Sequence, residues 1–355
     1  MEQTRPTRVD MSRRYALSDT ARVICRSTDS VQIGIDEPRC VVVHQAPSET
    51  PSVLAALDGA RTVAAVLTSH DADPVLWRAL LDQLLAIELL VPTESAEPGP
   101  TFTPGAHLSD ERSGLVLRHG HAAATRILQA RDDALGVLRG SGVLAAPVAT
   151  LLAASGIGHI HHEPTRPTPW TLATTPPPPP APVRGTGRAR GEVAAELLRT
   201  HPTVRVHPPA AHQHPTIVLL AGDPVPDLGV AASLVRSRVP HLAMTTGIAR
   251  SVVGPLVLPG RSSCLSCAHR RRTEADPDWP NVARTLAGER TRASALVTSA
   301  AAHLAAGQLL EHIDGAACPQ TVNGTLEWRA GDPAPRRRTW DLHPDCGCRG
   351  LSARG

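Results

Sequence analysis

The chain has 355 residues, of which 41% are apolar and 19% charged, and its formal net charge is +3. That length suits two domains of a soluble globular protein, and the near-neutral balance supplies no field toward nucleic acid or membrane. All 36 basic residues are arginine, which excludes a phosphate-loop lysine, a Schiff-base lysine and a lysine general base.

In chain order, the opening "MEQTRPTRVDMSRRY" lacks the apolar stretch of a signal peptide, so the cytoplasm is the expected location. Residues 1–19 read as a disordered tail. Over residues 20–91, "ARVICRS", "VQIGID" and "RCVVVHQ" are short β-branched runs separated by turn residues. The helical stretches "SETPSVLAALDG", "RTVAAVLTSH" and "DPVLWRALLDQLLAIELL" follow, the last with Asp73 as cap and Pro74 in its first turn. The order βββααα suggests a winged-helix-like module. Residues 92–111, rich in Pro, Glu, Thr and Gly, read as a linker.

Residues 112–355 read as an α/β domain. "GLVLRHG" as a strand, the helical "AAATRILQARD", "ALGVLRGSG", "VLAAPVATLLAASG" and "HIHHE" begin an alternation of strand and helix. "GEVAAELLRTHP", "TIVLLAG", "DLGVAASLVRSRV" and "HLAMTT" continue it, the rhythm of a doubly wound parallel sheet. Residues 164–191, Pro/Thr-rich and then Gly/Arg-rich, interrupt the rhythm as an exposed, partly disordered crossover. The long Ala-rich helix "ASALVTSAAAHLAAGQLLEHI" is broken by polar residues and reads as buried, not membrane-spanning. "TVNGTLEWRA" and "RRRTWDL" are strand-like.

Seven cysteines in a chain of this size do not make a disulfide framework. Their spacing carries more: "SSCLSCAHRRR" holds Cys264-x-x-Cys267, and "HPDCGC" near the end supplies Cys346-x-Cys348. Two such pairs provide the four thiolates of a closed, structural zinc site within residues 255–350. A redox pair at Cys264/Cys267 is the competing reading, and His269 and His343 are reserve ligands.

"LGVLRGSGVLAAPVATLL" sets Gly140-x-Gly142-x-x-Ala145 at a strand-to-helix turn, a phosphate-loop pattern, and Glu163 ends the next strand where a ribose-binding carboxylate belongs. Close strand–helix packing explains the same glycines. Asp223 sits where a metal-binding Asp could lie, yet the cationic residues an ATP triphosphate needs do not accompany it, and Pro147 offers no N–H. The pocket therefore reads as a vestige and ATP is not expected. Arg270–Arg272 and Arg336–Arg338 read as solvated or partner-facing loops rather than RNA-binding runs. His159, His161 and His162 read as strand-end polar residues, and Cys318 has no base beside it in sequence.

"GPLVLPGRSSCLSCAHRRRTEADPDWP" together with "RRRTWDLHPDCGC" resembles the ThiF-like (Ocin-ThiF-like, TOMM) proteins of azole/azoline peptide biosynthesis. A DPxWP element and a terminal HPxCGC recur in that family. The stretch "VICRSTDSVQIGIDEPRCVVV" with "LAALDGART" is similar to the family's PqqD-like recognition module. The resemblance implies structural zinc on Cys264, Cys267, Cys346 and Cys348. It also implies a non-catalytic partner that binds the leader of a ribosomally made precursor peptide and presents its core to a YcaO-type cyclodehydratase. A flavin-dependent azoline dehydrogenase would be a further partner in the pathway, and a homodimer is left open. An edge strand at "RCVVVHQ" can take an extended leader by β-augmentation. The candidate peptide-binding residues are Cys40, Val41, Val42 and Val43 with Trp77, Leu80, Leu81 and Leu84 of the helix that follows; burial of that helix inside the protein is the alternative. An active ThiF-type adenylyltransferase is the competing function.

Overall fold

A computed structural model describes residues 8–93, 105–140, 144–163, 204–210, 212–222, 224–287 and 293–348. Residues 1–7 of the expected tail, the Pro-rich crossover (164–191), the helix expected at 191–202, Gly142 and Asp223 lie outside the described residues. The chain forms two compact units, 1–128 and 129–355.

The first unit contains β1 (Arg14–Leu17), β2 (Val23–Cys25), β3 (Ser30–Ile33), β4 (Val41–His44) and α1 (Thr50–Ala56). It continues through β5 (Asp58–Thr62), α2 (Val63–Ser69), α3 (Pro74–Ala86), β6 (Leu90–Pro92) and α4 (Ser109–His119), and the unit boundary falls within α5 (His121–Asp133). Strands β2, β3 and β4 form an antiparallel meander. Val31 and Ile33 are buried while Ser30 and Gln32 between them are not, the period-two pattern of a half-covered strand. Helix α3 starts as expected, with the Asp73 carboxylate accepting from the Val75 N–H at 2.8 Å.

Two expectations are corrected here. Residues 14–17 are not tail but the central strand of a second sheet, ordered β5-β1-β6. Tyr15 is 3% exposed and packs with Val9 in the core, and flanking strands satisfy the β1 backbone on both sides. "GLVLRHG" lies in α4, not in a strand: Leu115 and Val116 are buried against Leu108, Ile127 and Leu128. Asp110 and Glu111 in the first turn and Arg118 and His119 in the last complement that helix's dipole. The expected linker is therefore shorter than 92–111.

Arg39, in the turn before β4, holds this unit together. Its Nε donates to the Leu117 carbonyl at 3.1 Å and its Nη1 to the Ile87 carbonyl. Its Nη2 lies 3.6 Å from Glu88, whose carboxylate accepts from the His121 N–H at 2.8 Å.

The second unit is built on β7 (Leu135–Arg139), β8 (His159–Glu163), β9 (Ile217–Ala221), β10 (His241–Thr246), β11 (Arg250–Val257), β12 (Gly324–Arg329) and β13 (Arg336–Thr339). Its helices are α6 (Ala145–Ala154), α7 (Leu228–Arg236), α8 (Leu265–Ala275), α9 (Trp279–Leu286) and α10 (Ala295–Asp314). The seven strands form one sheet in the order β13-β12-β11-β10-β9-β7-β8. Strands β7 to β10 are parallel, as the alternation implied, whereas β11 to β13 run antiparallel, so the sheet is mixed. Because β8 and β9 flank β7 on opposite sides, the winding reverses between β7 and β9. The Arg runs are not loops: Arg270–Arg272 belong to α8 and Arg336–Arg338 to β13.

Helix α10 packs on α6, β10, β11 and β12. Ala301, Ala302 and Ala305 on it are fully buried, and side chains this small let its backbone approach the sheet closely. The Ser294 hydroxyl caps its start and Gly315, at φ 64°, its end. No described helix is long and apolar enough to cross a membrane.

At the amino edge of the parallel strands, Arg131 of α5 forms a two-pronged ion pair with Asp314 at the end of α10. Nε–Oδ1 is 2.7 Å and Nη2–Oδ2 is 2.8 Å, and Nη1 donates to the Ser155 carbonyl at 2.9 Å. The two side chains are 1% and 6% exposed. Removing one partner strands a buried charge, so Asp314→Ala is expected to cost about 3–5 kcal/mol in chemical denaturation. An effect below about 1 kcal/mol would contradict the pair's role.

His241, fully buried, donates from Nδ1 to the Val239 carbonyl at 3.0 Å and leaves Nε2 buried without a partner among the described residues. Burial pushes this imidazole below its ordinary range. The fold thus favours the neutral ring. That stability is complete above the unfolded value near 6.5 and is lost as pH falls through it, with a slope of up to about 1.4 kcal/mol per pH unit. Melting temperatures from pH 7.5 to 5.5 should fall less steeply for His241→Leu than for the unaltered chain.

Candidate metal centre

Strand β11 ends at Val257, and the turn that follows is closed by the Ser262 hydroxyl, which accepts from the Leu258 N–H at 2.8 Å. The Asn323 side chain accepts from the Ser263 N–H at 2.7 Å and fixes the next residue. Cys264 then caps α8 and Cys267 lies in its first turn, so both sulfurs sit at the positive end of the helix dipole. Cys346 and Cys348 arrive from the C-terminal segment, held by a hydrogen bond from the Cys346 N–H to the His343 carbonyl at 3.1 Å.

The four sulfurs lie within 4.8 Å of one another, and all four residues are buried. Cys264 is 3.8 Å from Cys267 and 3.6 Å from Cys346, and Cys267 is 3.5 Å from Cys348. No pair is a disulfide. A tetrahedral ion with metal–sulfur bonds of about 2.3 Å sets its sulfurs about 3.8 Å apart. The donor set fits. The Cys264 thiol points at the Cys267 sulfur, which holds Cys267 below the ordinary thiol range and Cys264 above it. Burial pushes Cys348 up to about 12. Four buried thiolates need a positive ion between them. Among the described residues this is the only His/Cys/Asp/Glu group able to hold one.

Neither reserve histidine is a ligand. His343 is 5% exposed; its Nδ1 accepts from the Asp345 N–H at 3.1 Å, so Nε2 donates to Glu274, 2.9 Å away. His269 Nδ1 accepts from the Trp279 indole at 3.1 Å. The sequence reading passed over the braces around the cysteines. Glu274 holds His343 and also Arg271 at 3.0 Å, and Arg271 donates to the Leu342 carbonyl at 3.1 Å. The signal available was the cluster "HRRRTE" beginning two residues after Cys267.

Of the glycine motif, Gly140 and Ala145 are described. A side-chain carbon on Gly140 would lie 1.8 Å from the Ala221 carbonyl oxygen, so packing between the ends of β7 and β9 alone demands glycine. Ala145 is buried at the start of α6. Glu163 stands opposite Arg139 on the paired strand and forms an ion pair with it. His159 Nε2 contacts the His207 carbonyl at 2.9 Å and His162 Nε2 the Gly140 carbonyl at 3.1 Å. Cys318 is exposed.

In the first unit, β4 is an outer strand of its sheet, as expected of "RCVVVHQ". Cys40, Val42 and Val43 are half-buried, and Val41 faces the core. The helix residues are corrected: Trp77, Leu81 and Leu84 are at most 2% exposed because they fill the unit's own core, which removes them from peptide contact. Leu80 is half-buried, and the apolar residues that α3 exposes are Val75 and Leu76, at 78% and 66%.

No family profile matches the chain, and no curated protein matches it. Solved structures do. E. coli MccB with succinimide is 17% identical over 95% of this chain and 99% of its own, with a TM-score of 0.64. That is the fold. MccB is also known with ATP, and, as a microcin C7 biosynthetic enzyme, in complex with N-formylated MccA. PaaA, at 17% identity, aligns over 91% of this chain and 99% of its own with a TM-score of 0.63.

The centre is expected to hold about one divalent ion per chain by elemental mass spectrometry. Cys346→Ser combined with Cys348→Ser should release it and destabilise the second unit while the first stays folded. Unchanged metal content in that double variant would refute the ligand set.

Proposed function

We propose that this chain is a ThiF-like partner protein that binds the leader of a ribosomally made precursor peptide and presents its core to a YcaO-type cyclodehydratase. The observation that carries the reading is the fold shared with MccB along nearly the whole chain, since MccB has been seen bound to MccA. The motifs around both cysteine pairs and the PqqD-like stretch give it its direction. The four cysteines hold structural zinc, the ion whose thiolate geometry the sulfur spacing matches. The first unit acts as a winged-helix-like recognition module in which the leader adds a strand to the outer edge of β4 beside Cys40, Val42 and Val43. A flavin-dependent azoline dehydrogenase acts on the same peptide afterwards, in the cytoplasm.

A non-catalytic role is supported by the absence of lysine, by Glu163 being engaged with Arg139, and by Gly140 being required for packing. The MccB complex with ATP favours a second reading, an ATP-dependent adenylyltransferase acting on a peptide carboxylate.

Fluorescence polarisation with labelled leaders from small peptides encoded beside the gene separates the two. The full chain is expected to bind one leader saturably, with the same affinity with and without ATP, and to give no ATP–pyrophosphate exchange. Val42→Asp, on the face of β4 opposite the core, should weaken binding roughly tenfold. Leader-dependent pyrophosphate exchange would replace the partner role with adenylation, and failure to bind every candidate leader would refute leader recognition.

A further inference from the structure

A cavity of about 490 Å³ opens in the second unit between the end of β10, β11, α8 and α9. Arg250, Arg272 and Arg338 line it, with His269 and Trp279. The Arg272 guanidinium lies over two indoles, 5.1 Å from the Trp279 ring centre and 4.9 Å from that of Trp340. Both rings are fixed: the Trp279 N–H donates to His269, and the Trp340 N–H donates to the Thr325 hydroxyl at 3.1 Å. Arg338 stacks on Trp340 as well, at 4.5 Å.

The stacking satisfies the faces of Arg272 but none of its N–H donors. Among the described residues its guanidinium has no hydrogen-bond or carboxylate partner. Glu327 attracts Arg272 through space without an ion pair, its Oε2 being held by Arg250 at 3.0 Å. Asp276 on the cavity wall accepts from the Asp278 N–H in the turn before α9. Burial, and then the neighbouring Arg338, press Arg272 toward losing its proton. Arg272 is half-buried, so its N–H donors, shared with no described side chain, remain available to a ligand, and the like charges beside it favour an anion there.

The shape of the donors selects the anion. A guanidinium held flat by indoles is a planar fork, which matches a carboxylate with two parallel hydrogen bonds. Phosphate sites usually rely on backbone N–H groups of a helix start or a glycine loop. Here the start of α8 faces the cysteine sulfurs, Asp227 takes the Gly229 and Val230 N–H groups at the start of α7, and backbone carbonyls take those of Trp279, Asn281 and Val282 at the start of α9. The other walls include Val225, Leu228, Val252 and Leu265, suited to the aliphatic part of a peptide.

We propose that this cavity is a binding site for a carboxylate of a peptide, with Arg272 as the recognising fork and Arg338 and Arg250 supplying further positive charge. The assignment does not depend on where a leader binds in the first unit. The carboxylate is either an acidic side chain or a chain terminus.

Tryptophan fluorescence of the full-length protein tests it with three probes. These are a doubly blocked tripeptide with one internal glutamate, an acetylated trialanine with a free carboxyl end, and inorganic phosphate. One of the two peptides is expected to saturate, and which one does identifies the source. Arg272→Gln should weaken that binding about tenfold, with Arg272→Lys in between, at unchanged metal content and circular dichroism. Should Arg272→Gln fail to fold, Arg338→Gln, at an exposed strand position, should lower affinity roughly threefold. Saturation by phosphate alone, equal binding by the Gln variants, or no saturation by either peptide at tens of millimolar would overturn the proposal.

Discussion

Four sulfur atoms within 4.8 Å of one another fix the carboxyl-terminal part of this protein. They join two segments that no regular pairing would bring together: the start of α8 and the tail after β13. Around them Glu274 joins His343 to Arg271, Arg271 holds the Leu342 carbonyl, and Asn323 fixes Ser263 beside Cys264. The arginine cavity depends on the same knot. Arg272 lies eight positions along the chain from Cys264 on the helix the knot begins, and Trp340 and Arg338 lie on the segment the knot ends.

The sheet divides its tasks between its two ends. At the amino edge of the parallel strands, Arg131, Asp314 and Ser155 lock α5, α6 and α10, and the alanines of α10 let helix and sheet close without aromatic filler. At the carboxyl edge, where doubly wound folds place ligands, Gly140 lies against the Ala221 carbonyl and Glu163 pairs with Arg139. Among the described residues there, Arg139 and Glu163 are engaged with one another and His162 with the Gly140 carbonyl. The unengaged donors lie further along the same edge, beyond β10.

Legibility from sequence followed the range of the interactions. The parallel strands β7 to β10 were readable because each is a local apolar run set between helices, and the cysteine pairs because their spacing is itself the signal. Strands β1, β5 and β6 were not: "RYAL", "DGART" and "LVP" are short and carry no alternation, and only long-range pairing, Arg14 with Thr62 and Tyr15 with Pro92, makes them strands. "GLVLRHG" failed for a different reason, since three apolar residues in a row fit both periods. Strand β11 contains Gly254-Pro255, which reads as a breaker, yet its ladder with β10 tolerates the interruption through a shift in register between Leu242 and Met244. Trp77, Leu81 and Leu84 were read as a groove although their spacing equally describes a core. The Arg272 stack was invisible because Trp340 lies 68 positions from it.

The separation of the two cysteine pairs has a consequence for the unfolded chain. An ion bridging Cys264 and Cys346, 82 positions apart, closes a loop that holds α8, α9, α10 and the β12–β13 hairpin. Tying off a loop of that size removes about 4–5 kcal/mol of disorder from the denatured ensemble, as a disulfide of the same span would. In a reducing compartment, where such a disulfide does not last, thiolates around an ion supply the same topological restraint. The tail would then act as a removable staple, whose strength follows the availability of metal rather than the redox state of its surroundings.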